Sequence, residues 1–328
     1  MPKLSIIMPV RNAEGFLPTA LGSVLAQDFS DYELLAVDDG SSDSSCLLLL
    51  RLAENNNRVR VFCQKGLGAF AARNLALQHS NGEFIAFLDA DDFYPDSSVL
   101  GDLYSAARLS GAKICGGSWC KLAGNSLITR FRGNDAGYSF DKDGFVDYRG
   151  YQFDFGYQRF IYRRDLLLKY GIGFPPLLRY QDPPFFVRAM LAAGSFYATR
   201  RLSYCYRLGH QKILWDLPRA NSLIDGLTDV IMLAENNGLD ILRELTVCRA
   251  QRYIPAALCN NLCPQLLEKI FCLCARLNES QRLRLLAAVA SAERRRRHRL
   301  AFFVADGLRR AVPRRTRAVL GAMLRPRP

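Results

Sequence analysis

Apolar runs and helical patterns alternate along the first part of the chain. Short runs rich in aliphatic and aromatic residues predict buried strands at Leu4–Val10, Tyr32–Val37, Arg58–Phe62, Phe84–Leu88 and Ala112–Ser118. The segments between these runs carry apolar residues at helical spacing. Strands that alternate with helices indicate an α/β fold with a doubly wound, mainly parallel sheet flanked by helices.

The pattern changes after about Ala220. Leucines and other apolar residues then recur at the spacing of consecutive amphipathic helices. We therefore predict an α/β domain over residues 1–215, with halves 1–120 and 121–215. A helical region over residues 216–328 follows, and its tail is basic and amphipathic.

Carboxylates follow two of the predicted strands. Asp38 and Asp39 come after the second strand, and Asp89, Asp91 and Asp92 come after the fourth. Parallel strands would bring both groups to one edge of the sheet, where ligands of open α/β sheets bind. Clustered carboxylates suit a hard divalent cation beside a phosphorylated ligand. The alternative is a pair of solvated turns that precede helices, since Asp favours helix N-termini.

The net charge of +13 is concentrated at one end of the chain. Residues 291–328 hold twelve arginines against two acids, which accounts for ten of these charges. Arginines interleaved with apolar residues along predicted helices favour an anionic membrane surface as partner. A solvated tail and a docking segment for a partner remain alternatives. We expect no nucleic-acid binding, because no recognition module is evident in the sequence.

The cysteines and the apolar segments bear on the compartment. The ten cysteines form no C-x-x-C pair, so we expect buried, reduced thiols and no zinc site. The apolar part of the N-terminal segment is too short for a signal peptide, and no apolar run has the length of a membrane span. We expect a cytoplasmic protein, peripheral at most on the inner face of the cytoplasmic membrane.

Four motifs carry a resemblance to a known family. Met8–Asn12, Val37–Asp43, Ala72–Asn74 and Phe87–Asp92 resemble, in order and spacing, the family 2 glycosyltransferases of GT-A fold. The resemblance is strong over residues 3–120 and weaker to about residue 215. It implies an inverting, metal-dependent transfer of a sugar from a nucleoside diphosphate sugar, expected to be UDP-linked. The implied acceptor is a hydroxyl of a saccharide or lipid-linked saccharide in cell-surface polysaccharide synthesis.

The resemblance implies a set of nucleotide contacts. Asp39 matches the carboxylate that recognises the base, with Asp38 beside it. Pro9 and Arg11 match the loop near the base and ribose. Arg73 matches a basic residue that contacts phosphate or a base carbonyl. Asp39 as a helix cap and Arg73 as a surface arginine remain alternatives.

The resemblance also implies a metal site for Mn²⁺ or Mg²⁺. Asp89 and Asp91 form the D-x-D element, in which Asp89 approaches the ribose and the metal, and Asp91 ligates the metal. Asp92 is expected to support the loop. His210 is an additional candidate metal ligand, and Arg207 is an alternative diphosphate contact.

The predicted general base lies in the second half of the α/β domain. The family commonly has Glu-Asp at this place, whereas this chain has Gln181-Asp182. Asp182 is the candidate base for the acceptor hydroxyl, and an N-cap role beside Pro183 is compatible with it. A set of aromatic residues predicts one face of a strand, either in the core or as a wall toward a saccharide: Tyr148, Tyr151, Phe153, Phe155 and Tyr157.

Two other functions remain open from the sequence. A sugar-phosphate nucleotidyltransferase also uses a nucleotide, Mg²⁺ and carboxylates, but the chain has no N-terminal glycine-rich phosphate loop. A redox Rossmann fold is disfavoured, because the sequence has no G-x-G-x-x-G after the first strand. The sequence has no Walker A motif either. The missing Glu before Asp182 is the only support for a non-catalytic, membrane-associated scaffold of the same fold.

Overall fold

The protein divides into two compact units. The structure is a computed structural model and describes residues 1–209, 214–258 and 263–294. The first unit consists of Met1–Pro176 and Gln181–Lys212, and the second consists of Leu177–Tyr180 and Ile213–Pro328.

The first unit is built on a mixed sheet. Its strands are β1 (Leu4–Val10), β2 (Tyr32–Asp38), β3 (Val59–Cys63), β4 (Phe84–Phe87), β5 (Ile114–Ala123), β6 (Ser126–Ile128), β7 (Gly144–Asp147), β8 (Phe160–Arg163) and β9 (Ser195–Leu208). They lie in the order β3-β2-β1-β4-β8-β5-β9-β7, and β6 pairs with β5. The strands β1 to β4 are mutually parallel, and β8 is antiparallel to its neighbours β4 and β5.

Helices flank this sheet, as the sequence pattern predicts. They are α1 (Leu17–Leu25), α2 (Ser45–Asn55), α3 (Ala69–His79), α4 (Val99–Ser110), α5 (Tyr148–Tyr151), α6 (Arg164–Lys169) and α7 (Asp182–Ala193). Short 3-10 helices occupy Gly133–Tyr138 and Tyr157–Arg159. The predicted α/β fold is confirmed.

The central strands bring the two carboxylate groups to one edge of the sheet. β1 lies between β2 and β4 and is parallel to both. Val10 pairs with Asp38 at the end of β2, and Ile7 pairs with Phe87 at the end of β4. Because neighbouring strands lie about 4.8 Å apart, the backbones of β2 and β4 are roughly 10 Å apart across β1, and each ends in one of the carboxylate groups.

The strand predicted from the aromatic residues around Tyr151 is wrong. The side chain of Asp147 accepts a hydrogen bond from the Arg149 N–H and caps helix α5. Gln152 then ends the helix with a φ of +47°. Phe153 and Tyr157 are buried at 3% and 1% exposure, so they form core rather than a wall toward a ligand.

The second unit contains the predicted consecutive helices. They are α8 (Leu217–Asn237), α9 (Asp240–Leu258), α10 (Pro264–Ala275) and α11 (Glu279–Arg294). Their buried faces share one core, which includes Leu223, Leu227, Ile254, Leu266, Ile270 and Leu285. No helix within the described ranges is long and apolar enough to cross a membrane. The arginine-rich residues from 295 onward lie outside the described residues.

The cysteines only partly match the expectation of buried thiols. All nine cysteines in the described part of the chain are free. Cys115, Cys120 and Cys205 are buried, whereas Cys63 and Cys272 are exposed.

Candidate functional site

The loops after β1 and β2 are hydrogen-bonded to each other. The Asn12 N–H donates to Ser41 Oγ at 3.0 Å, and the Ser42 N–H donates to Asn12 Oδ1 at 2.8 Å. The Ala13 N–H donates to Ser45 Oγ at 2.8 Å. Asn12 has a φ of +48°, which asparagine tolerates better than most residues. These bonds fix both loops at the carboxyl edge of the sheet.

Asp39 holds the loop between β3 and α3. Its Oδ1 accepts hydrogen bonds from Gln64 Nε2 and from the Leu67 N–H, both at 2.7 Å. Its Oδ2 accepts from the Gly68 N–H at 2.9 Å and from Arg11 Nη1 at 3.4 Å. The four acceptor positions of the carboxylate are therefore filled. The contact with the half-exposed Arg11 is the longest, so it is the easiest for a ligand to replace.

Asp39 does not cap the following helix. Helix α2 begins at Ser45 with Ser44 as N-cap, five residues beyond Asp39. The alternative interpretation of Asp39 as a simple helix cap is wrong.

Asp38 is the second buried carboxylate at this edge. Its Oδ2 accepts from the Ser41 N–H at 3.1 Å. Its Oδ1 is buried and has no hydrogen-bond partner among the described residues. Pro9 pairs with Val37 beside it and is partly exposed. The structure thus brings Pro9, Arg11, Asp38 and Asp39 together.

Asp89 lies directly after β4 and is held from two sides. Its Oδ1 accepts from Arg73 Nη2 at 2.6 Å, and its Oδ2 accepts from Gln158 Nε2 at 3.0 Å. The Asp89 N–H donates to the Tyr204 hydroxyl at 3.2 Å. Its carboxylate orientation is therefore fixed by α3 and by the 3-10 helix before β8.

Arg73 connects Asp89 to Asp182. Its Nη1 lies 3.6 Å from Asp182 Oδ1, and the Arg73 side chain is 6% exposed. The guanidinium also lies 5.5 Å from the ring of Tyr157 and 5.1 Å from that of Phe174. Arg73 is therefore not the surface arginine of the alternative interpretation.

The charge of Arg73 is secured by its neighbours. Burial alone would lower the pKa of its guanidinium, but Tyr157, Asp89 and Asp182 outweigh burial and the net shift is upward. A buried cation between two carboxylates is stable where an unpaired one would not be. Arg73 thus sets the positions of both carboxylates.

Asp91 and Asp92 point to different environments. Asp91 is partly exposed, and its backbone carbonyl accepts from Arg207 Nε at 3.0 Å. Asp92 is 1% exposed and accepts from the Tyr204 hydroxyl and the Arg207 N–H, both at 2.7 Å. Asp92 therefore ties the turn to β9, which confirms its predicted supporting role.

The turn after β4 carries an excess of negative charge. Burial raises the pKa of the Asp92 carboxyl well above its ordinary value, and the charges of Asp91 and Asp89 raise it further. A cation at this turn would offset that repulsion.

Asp182 is the first residue of α7. The N-cap is Gln181, whose side chain makes no capping hydrogen bond with any described residue. Asp182 is partly exposed, at 32% of its side chain. The carboxylate is thus paired with Arg73 and still open to solvent, and Gln181 occupies the N-cap position that the sequence also predicts for Asp182.

Three residues of this site are absent from the sequence-based prediction. Gln64 fixes Asp39, Gln158 fixes Asp89, and Tyr204 fixes both Asp89 and Asp92. Gln158 and Tyr204 are 69 and 115 residues from Asp89 in sequence. No local pattern links such distant positions, so only the fold reveals them.

The carboxylates of the β4 turn suit a divalent cation in kind. Within the described ranges, no three His, Cys, Asp or Glu side chains are arranged to hold a metal. Mg²⁺, however, commonly binds through one or two carboxylates together with substrate phosphates and water. Asp89 and Asp91 can supply those two carboxylates. His210 lies outside the described residues.

Residues 5–171, just over half of the chain, match the family model described as glycosyl transferase family 2. The chain belongs to glycosyl transferase family 2. The match confirms the family that the four sequence motifs resemble. The matched range contains Arg73 and the loops after β1, β2 and β4, whereas Asp182 and the β9 residues Tyr204 and Arg207 lie beyond it.

The chain is similar in sequence to bacterial proteins that are named as glycosyltransferases. An uncharacterized glycosyltransferase of Haemophilus influenzae is 36% identical over 39% of this chain and 52% of its own length. The UDP-Glc:alpha-D-GlcNAc-diphosphoundecaprenol beta-1,3-glucosyltransferase WfgD of Escherichia coli is 41% identical over 39% of this chain and 50% of its own length. The matches thus span about half of these two relatives.

The fold also resembles that of a solved structure. Residues 1–349 of S. aureus TarS, in complex with UDP-GlcNAc, superpose with a TM-score of 0.65 at 18% identity. The superposition covers 90% of this chain and 93% of that chain. The same fragment without that ligand gives a TM-score of 0.67. The likeness confirms the predicted GT-A fold.

Proposed function

We propose that this chain is an inverting, metal-dependent glycosyltransferase that moves a sugar from a UDP-linked donor to an acceptor hydroxyl. One observation carries the proposal: Arg73 pairs with both Asp89 and Asp182 at the ligand-binding edge of a family 2 fold. This arrangement holds two carboxylates on either side of one guanidinium. Asp89 belongs to the turn proposed for the diphosphate, and Asp182 is the candidate base. The arrangement supports a catalytic geometry over a solvated turn.

The nucleotide would lie along the loops after β1 and β2. Asp39 accepts the N3–H of uracil if the base replaces Arg11, whose contact is the longest of the four. The unpartnered Oδ1 of Asp38 is a second acceptor beside it. Pro9 and Arg11 then border the base and ribose. Arg73 is buried between carboxylates, so its proposed role is to hold Asp89 in place. Its guanidinium does not extend into solvent.

The diphosphate would lie at the turn after β4. Asp91 and Asp89 would hold Mn²⁺ or Mg²⁺, with His210 as an additional ligand. Such an ion neutralises the charge that develops on the leaving nucleoside diphosphate. Asp92 and Tyr204 keep the backbone of this turn in place.

Asp182 is the proposed general base. Its carboxylate takes the proton of the acceptor hydroxyl while the acceptor oxygen bonds to the anomeric carbon and the bond to the diphosphate breaks. A single displacement of this kind inverts the anomeric configuration. The ion pair with Arg73 orients Asp182 for that role.

The proposed acceptor is a saccharide on a lipid carrier, used for a cell-surface polysaccharide. WfgD, a relative over half its length, is named for an acceptor linked to diphosphoundecaprenol. The twelve arginines among residues 291–328 would attract an anionic membrane surface. We place the protein in the cytoplasm, peripheral on the inner face of the membrane.

An assay with several donors tests the proposal. The purified chain is incubated with Mn²⁺, a lipid-linked saccharide and UDP-, GDP- or dTDP-sugars, and nucleoside diphosphate release is measured. We expect release from a UDP-sugar that depends on the acceptor. Pyrophosphate release from a nucleoside triphosphate and a sugar phosphate would instead indicate a nucleotidyltransferase, and no turnover with any donor would indicate a scaffold.

A further inference from the structure

Tyr206 lies on β9 directly beside the acidic turn. The bridge between Phe93 and Cys205 pairs this part of β9 with the chain that follows Asp91 and Asp92. Successive residues of a strand point to opposite faces, so Tyr206 shares a face with Tyr204. The Tyr204 hydroxyl reaches Asp92 at 2.7 Å. The Tyr206 side chain therefore projects on the carboxylate side of the sheet.

An aromatic side chain supports Tyr206 from the neighbouring strand. The Trp119 ring lies 5.2 Å from the Tyr206 ring, between centroids, at an angle of 47°. Trp119 is 5% exposed, whereas Tyr206 is only partly buried. Trp119 is thus packed in the core, and Tyr206 is the more accessible ring of this aromatic pair.

The Tyr206 phenol is a hydrogen-bond donor in a field of carboxylates. Burial raises its pKa above the ordinary value, and four carboxylates raise it further. They are Asp92, Asp91, Asp89 and Asp182. No hydrogen bond joins the phenol to another described residue. A phenol is protonated near neutral pH, so the hydroxyl can donate to a ligand oxygen.

We propose that Tyr206 contacts the transferred sugar and donates a hydrogen bond from its phenol to a hydroxyl of that sugar. This assignment rests on the proposed function. Tyr206 lies two residues along β9 from Tyr204, whose hydroxyl contacts Asp92 and the Asp89 N–H at the turn proposed for the diphosphate. Arg73 joins Asp89 to Asp182, the proposed base. The group that lies between a leaving diphosphate and an attacking acceptor is the sugar ring. Aromatic side chains also suit its apolar face.

Isothermal titration with Mn²⁺ present tests this contact in Tyr206→Phe. The ligands are UDP and whichever of UDP-glucose, UDP-galactose and UDP-N-acetylglucosamine the wild type binds most tightly. We expect the variant to bind the UDP-sugar about threefold to tenfold more weakly, the effect of one neutral hydrogen bond, and to bind UDP as the wild type does. Tyr197→Phe is the matched control on the same strand, where the ring packs on Phe145, and it should change neither affinity.

Two results would overturn the assignment. An equal loss of affinity for UDP and for the UDP-sugar would place the phenol on the diphosphate, and unchanged affinity for both would remove it from the site. Urea unfolding of Tyr206→Phe checks that the variant is folded. A wild type that binds no nucleotide sugar would instead overturn the proposed function itself, so the two failures are distinguishable.

Discussion

Arg73 and Asp89 form a buried ion pair in which Nη2 of the arginine donates to Oδ1 of the aspartate over 2.6 Å. The Arg73 side chain is 6% exposed and that of Asp89 is 19% exposed. The same guanidinium lies 3.6 Å from Asp182 Oδ1. Removal of the cation would leave two carboxylates near each other without compensation. The ion pair therefore connects the stability of the domain to the geometry of the proposed site.

Arg73→Leu should destabilise the domain by about 3 kcal/mol, because it leaves partly buried carboxylates unpaired. Urea unfolding measures the change. Arg108→Leu removes an ion pair of similar length to Glu83, 2.9 Å, but Arg108 is 55% exposed. This control should cost under about 1 kcal/mol. Equal losses in the two variants would show that burial of the Arg73 pair contributes nothing.

Asp182→Asn should keep UDP-sugar binding and lose turnover by about 100-fold to 10,000-fold, as expected when a general base is removed. Binding is followed by titration and turnover by UDP release. Asp165→Asn alters an exposed carboxylate that pairs with Arg163 and should leave both quantities unchanged. Normal turnover in Asp182→Asn would exclude Asp182 as the base.

Asp39→Asn should weaken UDP binding by about tenfold or more, since an amide cannot accept all the hydrogen bonds that this carboxylate accepts. The loop Gln64–Gly68 would lose its anchor as well. Titration with UDP measures the effect. Asp31→Asn changes a half-exposed aspartate and serves as the control. Wild-type affinity in Asp39→Asn would separate this carboxylate from the nucleotide.

Glu33 should make folding stability depend on acid. Burial alone would raise the pKa of its carboxyl, but hydrogen bonds from Ser5, the Asn81 N–H and Arg60 outweigh burial, and the net shift is downward. A carboxyl whose folded-state pKa is lowered stabilises the fold above its ordinary pKa of 4.5. That stabilisation is lost as the pH falls through the lowered value.

Urea unfolding of wild type and Glu33→Gln at pH 7 and at pH values below 4.5 tests this dependence. The wild type should be the more stable at pH 7, and the difference should shrink as the pH falls. A difference that stays constant over this range would show that Glu33 titrates alike in the folded and unfolded chains.

Local patterns predict the central strands and the positions of the acidic turns. β1 spans Leu4–Val10 both as predicted and in the structure, because its apolar run is continuous. The shared sheet edge of Asp38 and Asp89 follows from the parallel arrangement of β1, β2 and β4. The order of the predicted strands and helices is therefore sufficient to predict this edge of the sheet.

Long-range partners are beyond local patterns. The aromatic spacing near Tyr151 predicts a strand, but the cap at Asp147 and the left-handed Gln152 produce a helix and a turn.

The pairing of Arg73 with Asp182 joins residues more than 100 positions apart. The sequence motifs indicate which residues carry chemistry, and tertiary packing decides which of them meet.

A thermal-shift experiment with UDP-sugar, with and without Mn²⁺, tests the central claim most directly. A ligand that binds only the folded state raises the apparent Tm. We predict that a UDP-sugar raises the Tm of the wild type when Mn²⁺ is present, and that Asp91→Ala removes this shift while its ligand-free Tm stays near that of the wild type. An equal shift in Asp91→Ala, or no shift of the wild type with any nucleotide sugar and Mn²⁺, would contradict the account.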